Sequence, residues 1–384
     1  MHFEFATATR IIFGSGRLSQ VGSIARDLGS RALIVTGRDT TRADALVRFL
    51  GGANIASELF SVPGEPTLDT VTRGTALARS EGCALVIGFG GGSAIDAGKA
   101  IAAMMTNDGD LLDYLEVIGR GQPLTKPSAS FIAIPTTAGT GAEVTRNAVL
   151  GSPEHRVKVS LRSAHMLPRV ALIDPALTLD LPPAVTASTG LDALTQLLEA
   201  YVSIRATPMT DALCEQGIRI AARSLERTFT TPDDLAARED MSLAALYSGI
   251  ALANAGLGAV HGFAAPIGGM FPAPHGAVCA ALLPHVWKTN LSAIDSRGTA
   301  AQRERFSKAA RVLCNDPSAA SADALPWLGQ ICSRLKIAPL RHYGVTTQDA
   351  DEIVARAAQA SSMKANPVTL TAAELRTTLL AACG

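Results

Sequence analysis

The 384-residue chain has no Cys-x-x-Cys pair. Cys83, Cys214, Cys279, Cys314, Cys332 and Cys383 are scattered, which argues against a thiolate metal site or a disulfide framework and for buried, reduced thiols. It has no excess charge of either sign. Lys plus Arg and Asp plus Glu are 34 each, with no basic cluster, so the electrostatic case for nucleic acid is missing and a small-molecule partner fits better. No apolar run approaches the roughly 20 residues of a membrane span. The start, Met1-His2-Phe3-Glu4-Phe5, lacks a basic region followed by an apolar block, so no secretory signal is expected and the protein reads as cytoplasmic. There is no internal repeat or low-complexity tract. What is present, 47% hydrophobic and 18% charged residues, allows a large core, and the length suggests two domains.

The first half alternates strand and helix patterns. Arg10–Gly14 reads as a strand, Ser19–Leu28 as a helix, Ala32–Thr36 as a buried strand, and a further helix runs to Leu50. Glu58–Val62 and Ala84–Ile87 read as strands, each followed by a helix, Leu68–Arg79 before the second and Ser93–Met105 after it. Such alternation implies a parallel sheet with both faces covered and ligands bound beyond the strands' carboxyl ends. Asp174–Pro183 breaks both periodicities and reads as a hinge, after which no convincing strand appears. Thr371-Ala-Ala-Glu374 is a capping box, and Ala-rich amphipathic segments run over Arg303–Leu313, Ala324–Leu335, Asp349–Ala360 and Glu374–Cys383. The expected fold is therefore α/β followed by α: a Rossmann-like parallel-sheet domain over residues 1–180, then an all-helical domain over 181–384, with the active cleft between them.

Two turns suit a nucleotide. Gly88-Phe-Gly-Gly-Gly-Ser-Ala-Ile-Asp96 leaves a strand and opens a helix, so its glycines let backbone amides approach a pyrophosphate at the positive helix end. Taken alone it is equally a tight turn. Pro135-Thr-Thr-Ala-Gly-Thr-Gly-Ala-Glu-Val-Thr145 follows a fifth strand pattern, Phe131–Ile134, and offers hydroxyls and amides for phosphate or ribose. The second half offers a different chemistry. His261 stands at the end of a small-residue run, Ile250–Val260, that reads as a buried helix, and His275 opens a second apolar run ending at His285. Asp192 and Gln196 are four apart on one helix face. A carboxylate with two imidazoles makes a catalytic-metal set if a fourth position stays open. Spacing alone also admits hydrogen-bonded core histidines and a solvated Asp192-Gln196-Glu199 stripe.

The Gly-x-Asp-Ala-Leu-x-x-x-x-Glu-Ala block from Gly190, the Val260-His-Gly block and the Pro274-His-Gly block, in this order, resemble the iron-containing alcohol dehydrogenase family, and the likeness spans nearly the whole chain. The resemblance implies a dehydroquinate synthase-like architecture and a homodimer. It implies a cofactor loop at Gly90, Gly91, Gly92, Ser93 and Asp96, further cofactor contacts at Thr136, Thr137 and Thr140, and a lysine reaching the cofactor at Lys158. Lys158 could also be merely exposed. Where relatives that prefer NAD carry an aspartate, this chain has Gly37 followed by Arg38. That removes the repulsion of a 2'-phosphate, so NAD or NADP is expected, with a lean to NADP, while Asp39 could still swing in.

The implied reaction is hydride transfer between a nicotinamide and the carbonyl carbon of a small aldehyde or alcohol, with Fe2+ or Zn2+ held by Asp192, Gln196, His261 and His275. His261 and His275 also count as catalytic, and His275 or a water exchanges the alcohol proton. Two departures from the family stand out. Gln196 replaces a ligand histidine, and a neutral amide oxygen is a poorer donor toward first-row metals; Ala265 replaces a further site histidine. The site then holds its metal on three ligands, uses Gln196 as a weak fourth, or works without metal. The alternatives are a metal-free reductase of the maleylacetate reductase type, which tends to depart from the Thr-Thr-Ala-Gly-Thr-Gly block kept here, a dehydroquinate synthase-like lyase, and a degenerate nucleotide-binding protein. The lyase needs several Lys and Arg near the metal, and Ala259–His285 contains none. Phe263, Ile267, Met270 and Phe271 suggest a substrate without strong charge, and Met363-Lys-Ala-Asn366 either reaches the cleft or forms an exposed loop.

Overall fold

The computed structural model describes residues 2–384. They form two compact units. One comprises Thr7–Thr137 and Gly141–Leu179; the other comprises Asp180–Gly384, Ala138–Thr140 and residues 2–6.

The first unit is built on eight strands: β1 (Arg10–Phe13), β2 (Arg31–Thr36), β3 (Ala56–Ser61), β4 (Leu85–Gly90), β5 (Ser130–Pro135), β6 (Asn147–Ser152), β7 (Val157–Arg162) and β8 (Val170–Ile173). Six of them make a parallel sheet in the order β1-β8-β5-β4-β2-β3. Because successive side chains point to opposite faces, Leu33 and Val35 of β2 join one core while Ala32 and Ile34 join another. Helices α1 (Val21–Arg26), α2 (Asp44–Gly52), α3 (Leu68–Ser80), α4 (Gly92–Thr106) and the short α5 (Leu111–Tyr114) belong to this unit. α1 and α2 cover the Ala32–Ile34 face, and α3 and α4 the Leu33–Val35 face. That double cover explains the near-continuous apolar runs of the central strands.

The sequence reading missed three strands. β6 and β7 pair as an antiparallel hairpin, and β8 inserts between β1 and β5. The alternation Val157-Lys-Val-Ser-Leu161, with Val159 and Leu161 buried between more exposed neighbours, carried the period-two signal. Asp174, expected in a hinge, is a tie within the sheet unit: its carboxylate accepts the backbone N–H groups of Gly16, Leu18 and Ala176.

The second unit holds α6 (Pro183–Val202), α7 (Pro208–Thr230), α8 (Leu235–Ala255), α9 (Ala259–Met270), α10 (His275–Arg297), α11 (Ala300–Cys314), α12 (Ala324–Arg334), α13 (Ala350–Gln359) and α14 (Ala372–Cys383). α6 is buried almost all round from Gly190 to Val202, as befits a helix packed against α7, α8 and α10. The capping box before α14 forms: Glu374 N–H donates to Thr371 Oγ1, and Thr371 N–H donates to Glu374 Oε2. The continuous helix expected over Ile250–Val260 does not form. α8 ends at Ala255, Gly256 takes a positive φ of 71°, and α9 begins at Ala259 at a bend of 98°. Among the described residues no single helix is long and apolar enough to cross a membrane.

Candidate active site

α6 turns one face of buried polar groups inward. Asp192, Gln196 and Glu199 are all buried, so the solvated-stripe explanation is ruled out. The Gln196 amide is engaged at both ends: its nitrogen donates to the Thr140 carbonyl (3.3 Å) and its Oε1 accepts from Ser248 (2.9 Å).

The break between α8 and α9 exists for Glu199. Its Oε1 accepts the Val260 N–H (2.7 Å) at the amino end of α9, and Asn366 Oδ1 accepts the adjacent Ala259 N–H (3.1 Å). These satisfy helix donors that lack intrahelical partners, and the carboxylate meets the positive end of the helix dipole. A Cβ on Gly258 would stand 2.8 Å from Glu199 Oε1 and 2.9 Å from Asn366 Oδ1, so only glycine admits both acceptors. Met363–Asn366, placed by sequence in a cleft or an exposed loop, supports the site instead, with Met363 packed beside Gly262. Glu199 Oε2 meanwhile lies 2.6 Å from His261 Nδ1. One carboxylate thus caps the helix and fixes the tautomer of the histidine in its first turn, leaving Nε2 to face inward.

α10 brings the second histidine. A Cβ on Gly276 would stand 2.3 Å from the Ser188 carbonyl oxygen, so glycine lets the start of α10 lie directly on α6. His275 then reaches Asp192, with Nε2 3.8 Å from Oδ1, while His261 Nε2 approaches the same oxygen to 3.3 Å. The two imidazole rings are 5.4 Å apart. One turn along α10, Cys279 Sγ is 3.7 Å from the Nε2 of both histidines. One ligand atom each from Asp192, His261, His275 and Cys279 lies within 4.8 Å of all the others. Asp192 and His261 are sealed, whereas the His275 side chain is 33% exposed. Asp192 Oδ1, fully buried, has no hydrogen-bond partner. An orphaned carboxylate oxygen facing two imidazole nitrogens and a sulfur is the donor set a divalent cation takes, so the residues fit the metal that the sequence led one to expect. Without a cation, burial works against charge on His261, but Cys279, Asp192 and Glu199 outweigh it and hold its pKa well above the ordinary value. A cation entering here displaces that proton.

Gly276→Ala drives a methyl group into unyielding backbone. The variant is expected to lose about 1–3 kcal/mol of stability, with metal affinity falling in parallel as His275 moves off Asp192, read by thermal melting and metal titration.

In the sheet unit, β2, β4 and β5 end side by side, with Thr36 opposite Phe89 and Gly90 opposite Pro135. Gly37, Gly90, Gly91, Gly92, Ser93, Thr136 and Thr137 therefore gather at one sheet edge. Gly91 is the N-cap of α4 and no side chain caps it, which leaves the helix end open to an anion. Asp96 faces inward: Oδ2 accepts the Val149 N–H, and Oδ1 is 3.0 Å from the buried Lys99 ammonium. Lys158 is largely buried and pairs with Glu65 (3.0 Å). Gly37 borders open space, Arg38 donates to the Pro63 carbonyl, and Asp39 is tied to Thr41 through backbone and hydroxyl. Thr140 lies in the helical unit, its carbonyl holding Gln196.

Burial raises Glu143, in the same threonine-glycine turn, to about 7. An acid whose folded pKa lies above its unfolded value contributes stability that is present below about pH 4.5 and lost as pH rises through about 7. Glu143→Gln is accordingly expected to gain about 2–3 kcal/mol over the parent at pH about 9 and nothing at pH about 4, read by denaturant unfolding at both pH values.

The family description "iron-containing alcohol dehydrogenase" matches residues 8–175, and its C-terminal counterpart matches residues 186–383. The chain belongs to the iron-containing alcohol dehydrogenase family. Among its relatives is the 1,3-propanediol dehydrogenase of Klebsiella pneumoniae, 40% identical over 298 residues and 76% of either chain. The crystal structure of a 1,3-propanediol oxidoreductase superposes with a TM-score of 0.92 at 34% identity over the whole of both chains. A sulfoacetaldehyde reductase from Bifidobacterium kashiwanohense, solved with NAD+, superposes at 0.88 with 26% identity, covering 99% of this chain and 98% of its own. Membership makes this an alcohol oxidoreductase of the iron type and implies a nicotinamide cofactor and a metal.

Of the four residues expected at the metal, the structure brings Asp192, His261 and His275 together, while the Gln196 amide bonds to Thr140 and Ser248. Cys279 stands in no Cys-x-x-Cys pair, so that pattern does not reveal it. The signal was the spacing of four from His275 on one helix. Of the residues read as lining the site, Phe263 and Ile267 are sealed in the helical core, while Met270 and Phe271 are only partly buried.

Proposed function

We propose that the protein is a metal-dependent, NAD(P)-linked alcohol dehydrogenase that also reduces aldehydes, transferring hydride between the nicotinamide and the carbonyl carbon of a small substrate. The observation that carries this reading is the orphaned Asp192 oxygen facing two histidines. Asp192, His261 and His275 would hold the metal, which when bound supplies a Lewis acid for the substrate oxygen. Glu199 keeps the proton of His261 on Nδ1. His275, the exposed member of the set, or an ordered water beside it is the route by which the alcohol proton exchanges with solvent. Gly90, Gly91, Gly92 and Ser93 would take the cofactor's pyrophosphate, with Thr136, Thr137, Thr140 and Lys158 as further contacts; the inward-facing Asp96 would order the loop. Open space at Gly37, with Asp39 tied to Thr41, favours acceptance of the 2'-phosphate and hence of NADP as well as NAD. A homodimer is the proposed assembly, since β1 forms a sheet edge.

The test is oxidation of NADPH and NADH with a panel of short aldehydes, on protein stripped by chelator and resupplied separately with zinc and ferrous iron. Restoration of turnover by one metal supports the reading. Turnover indifferent to metal overturns it in favour of a metal-free reductase, and a large preference for NADH overturns the NADP lean.

A further inference from the structure

We infer that Cys279 is a sulfur ligand of the resident metal, taking the place that Gln196 leaves, and that it makes the site selective for zinc over ferrous iron. The inference rests on the proposed function insofar as a divalent cation occupies the cluster.

Two independent observations meet at Cys279. The first is distance. Bonds of about 2.0–2.1 Å to nitrogen or oxygen and about 2.3 Å to sulfur, spread tetrahedrally, set nitrogen and sulfur about 3.6 Å apart and nitrogen and oxygen about 3.3 Å apart. The two sulfur-to-imidazole separations are 3.7 Å each, and His261 Nε2 stands 3.3 Å from Asp192 Oδ1. His275 to Asp192, at 3.8 Å, is wider than that, and all four ligand atoms lie within 4.8 Å of one another. A thiol that donates to one imidazole and accepts from the other would also sit at these distances, so the spacing is shared with hydrogen bonding, and the absorption of the bound metal separates the two. The second observation is Asp192 Oδ1, buried, with no hydrogen bond, and facing the nitrogens of both histidines.

The residue with the better claim by resemblance is committed elsewhere. Gln196 spends both ends of its amide on Thr140 and Ser248, whereas Cys279, buried and one turn beyond His275, has no better partner. Coordination needs only that the thiol release its proton to solvent and the sulfur lone pair form the bond. The resulting set of two nitrogens, one oxygen and one thiolate is softer than an all-nitrogen-and-oxygen site, and thiolate selects zinc among the cations at issue.

The test loads stripped protein with Co2+ and records its absorption, a readout independent of turnover. The wild type is expected to show an intense thiolate-to-cobalt charge-transfer band in the near ultraviolet. Cys279→Ser and Cys279→Ala should lose the band, bind zinc about 100-fold more weakly, and discriminate less between zinc and ferrous iron. Gln196→Ala should keep the band. Cobalt bound in an Asp192-dependent way without the band, or unchanged zinc affinity in either cysteine variant, overturns the role of Cys279 and leaves the proposed function standing. No cobalt binding at all overturns both.

Discussion

Asp192→Ala is expected to abolish metal binding and to lower kcat/KM for aldehyde reduction by about 1000-fold or more. Polarisation of a carbonyl by a bound cation contributes several kcal/mol, and each ~1.4 kcal/mol is a factor of ten in rate. Asp192 is the natural place to make the loss complete because its Oδ1 faces both histidines and is paired with nothing else. Burial alone would raise its pKa, but His275 and His261 outweigh that and hold it below the ordinary carboxylate value, so the carboxylate is charged and ready for a cation. Asp192→Asn is the companion variant. It keeps the volume but removes the charge, so turnover and metal content should fall together in both variants. Melting of the stripped proteins separates loss of metal from loss of fold. An Asp192→Ala protein with wild-type metal content and turnover would remove the site from the reaction.

Glu199→Gln comes second in size, and it acts without touching the metal. The carboxylate serves two donors, the Val260 N–H and the proton on His261 Nδ1. If the glutamine carbonyl keeps the helix cap, its NH2 faces Nδ1, and the imidazole must carry its proton on Nε2, the atom aimed at Asp192 and Cys279. The lone pair that would bind a metal is then gone. If the amide turns over, the histidine is served and the first turn of α9 loses its acceptor. Either way metal affinity should fall about 10–100-fold, the usual effect of losing the outer partner of a metal-binding histidine. Glu199→Ala leaves both donors buried and unmet and should cost about 3 kcal/mol or more of stability besides. Isothermal titration with zinc and denaturant unfolding of the stripped form measure the two effects separately; equal zinc affinity in Glu199→Gln and wild type would contradict the assigned role.

These two carboxylates show what the sequence could and could not convey. The parallel sheet was legible because each central strand is a local apolar run followed by a helix of the right length. The capping box of α14 was legible because all its atoms come from four consecutive residues. The insertion of β8 between β1 and β5 was not, since Val170–Ile173 takes its register from strands far away in the chain. The break before α9 was hidden for a related reason. The small-residue stretch Ile250–Val260 favours helix throughout, and only Glu199 and Asn366, remote in sequence, offer acceptors that make a new helix start at Ala259 preferable. In the site, Asp192, His261 and His275 were found by their chemistry, and Glu199 was seen without its double role. The engagement of the Gln196 amide was not legible, because residue type says nothing of Ser248 and Thr140, which bond to it.

The most direct test of the account is a metal titration of stripped protein in which bound metal and NAD(P)H oxidation are followed on the same samples. Turnover is expected to rise in proportion to the metal bound, to saturate with it, and to stay at background in Asp192→Ala at every concentration. Full turnover in the stripped protein, unchanged as the metal fills, would contradict the claim that the Asp192–His261–His275 site works through a cation.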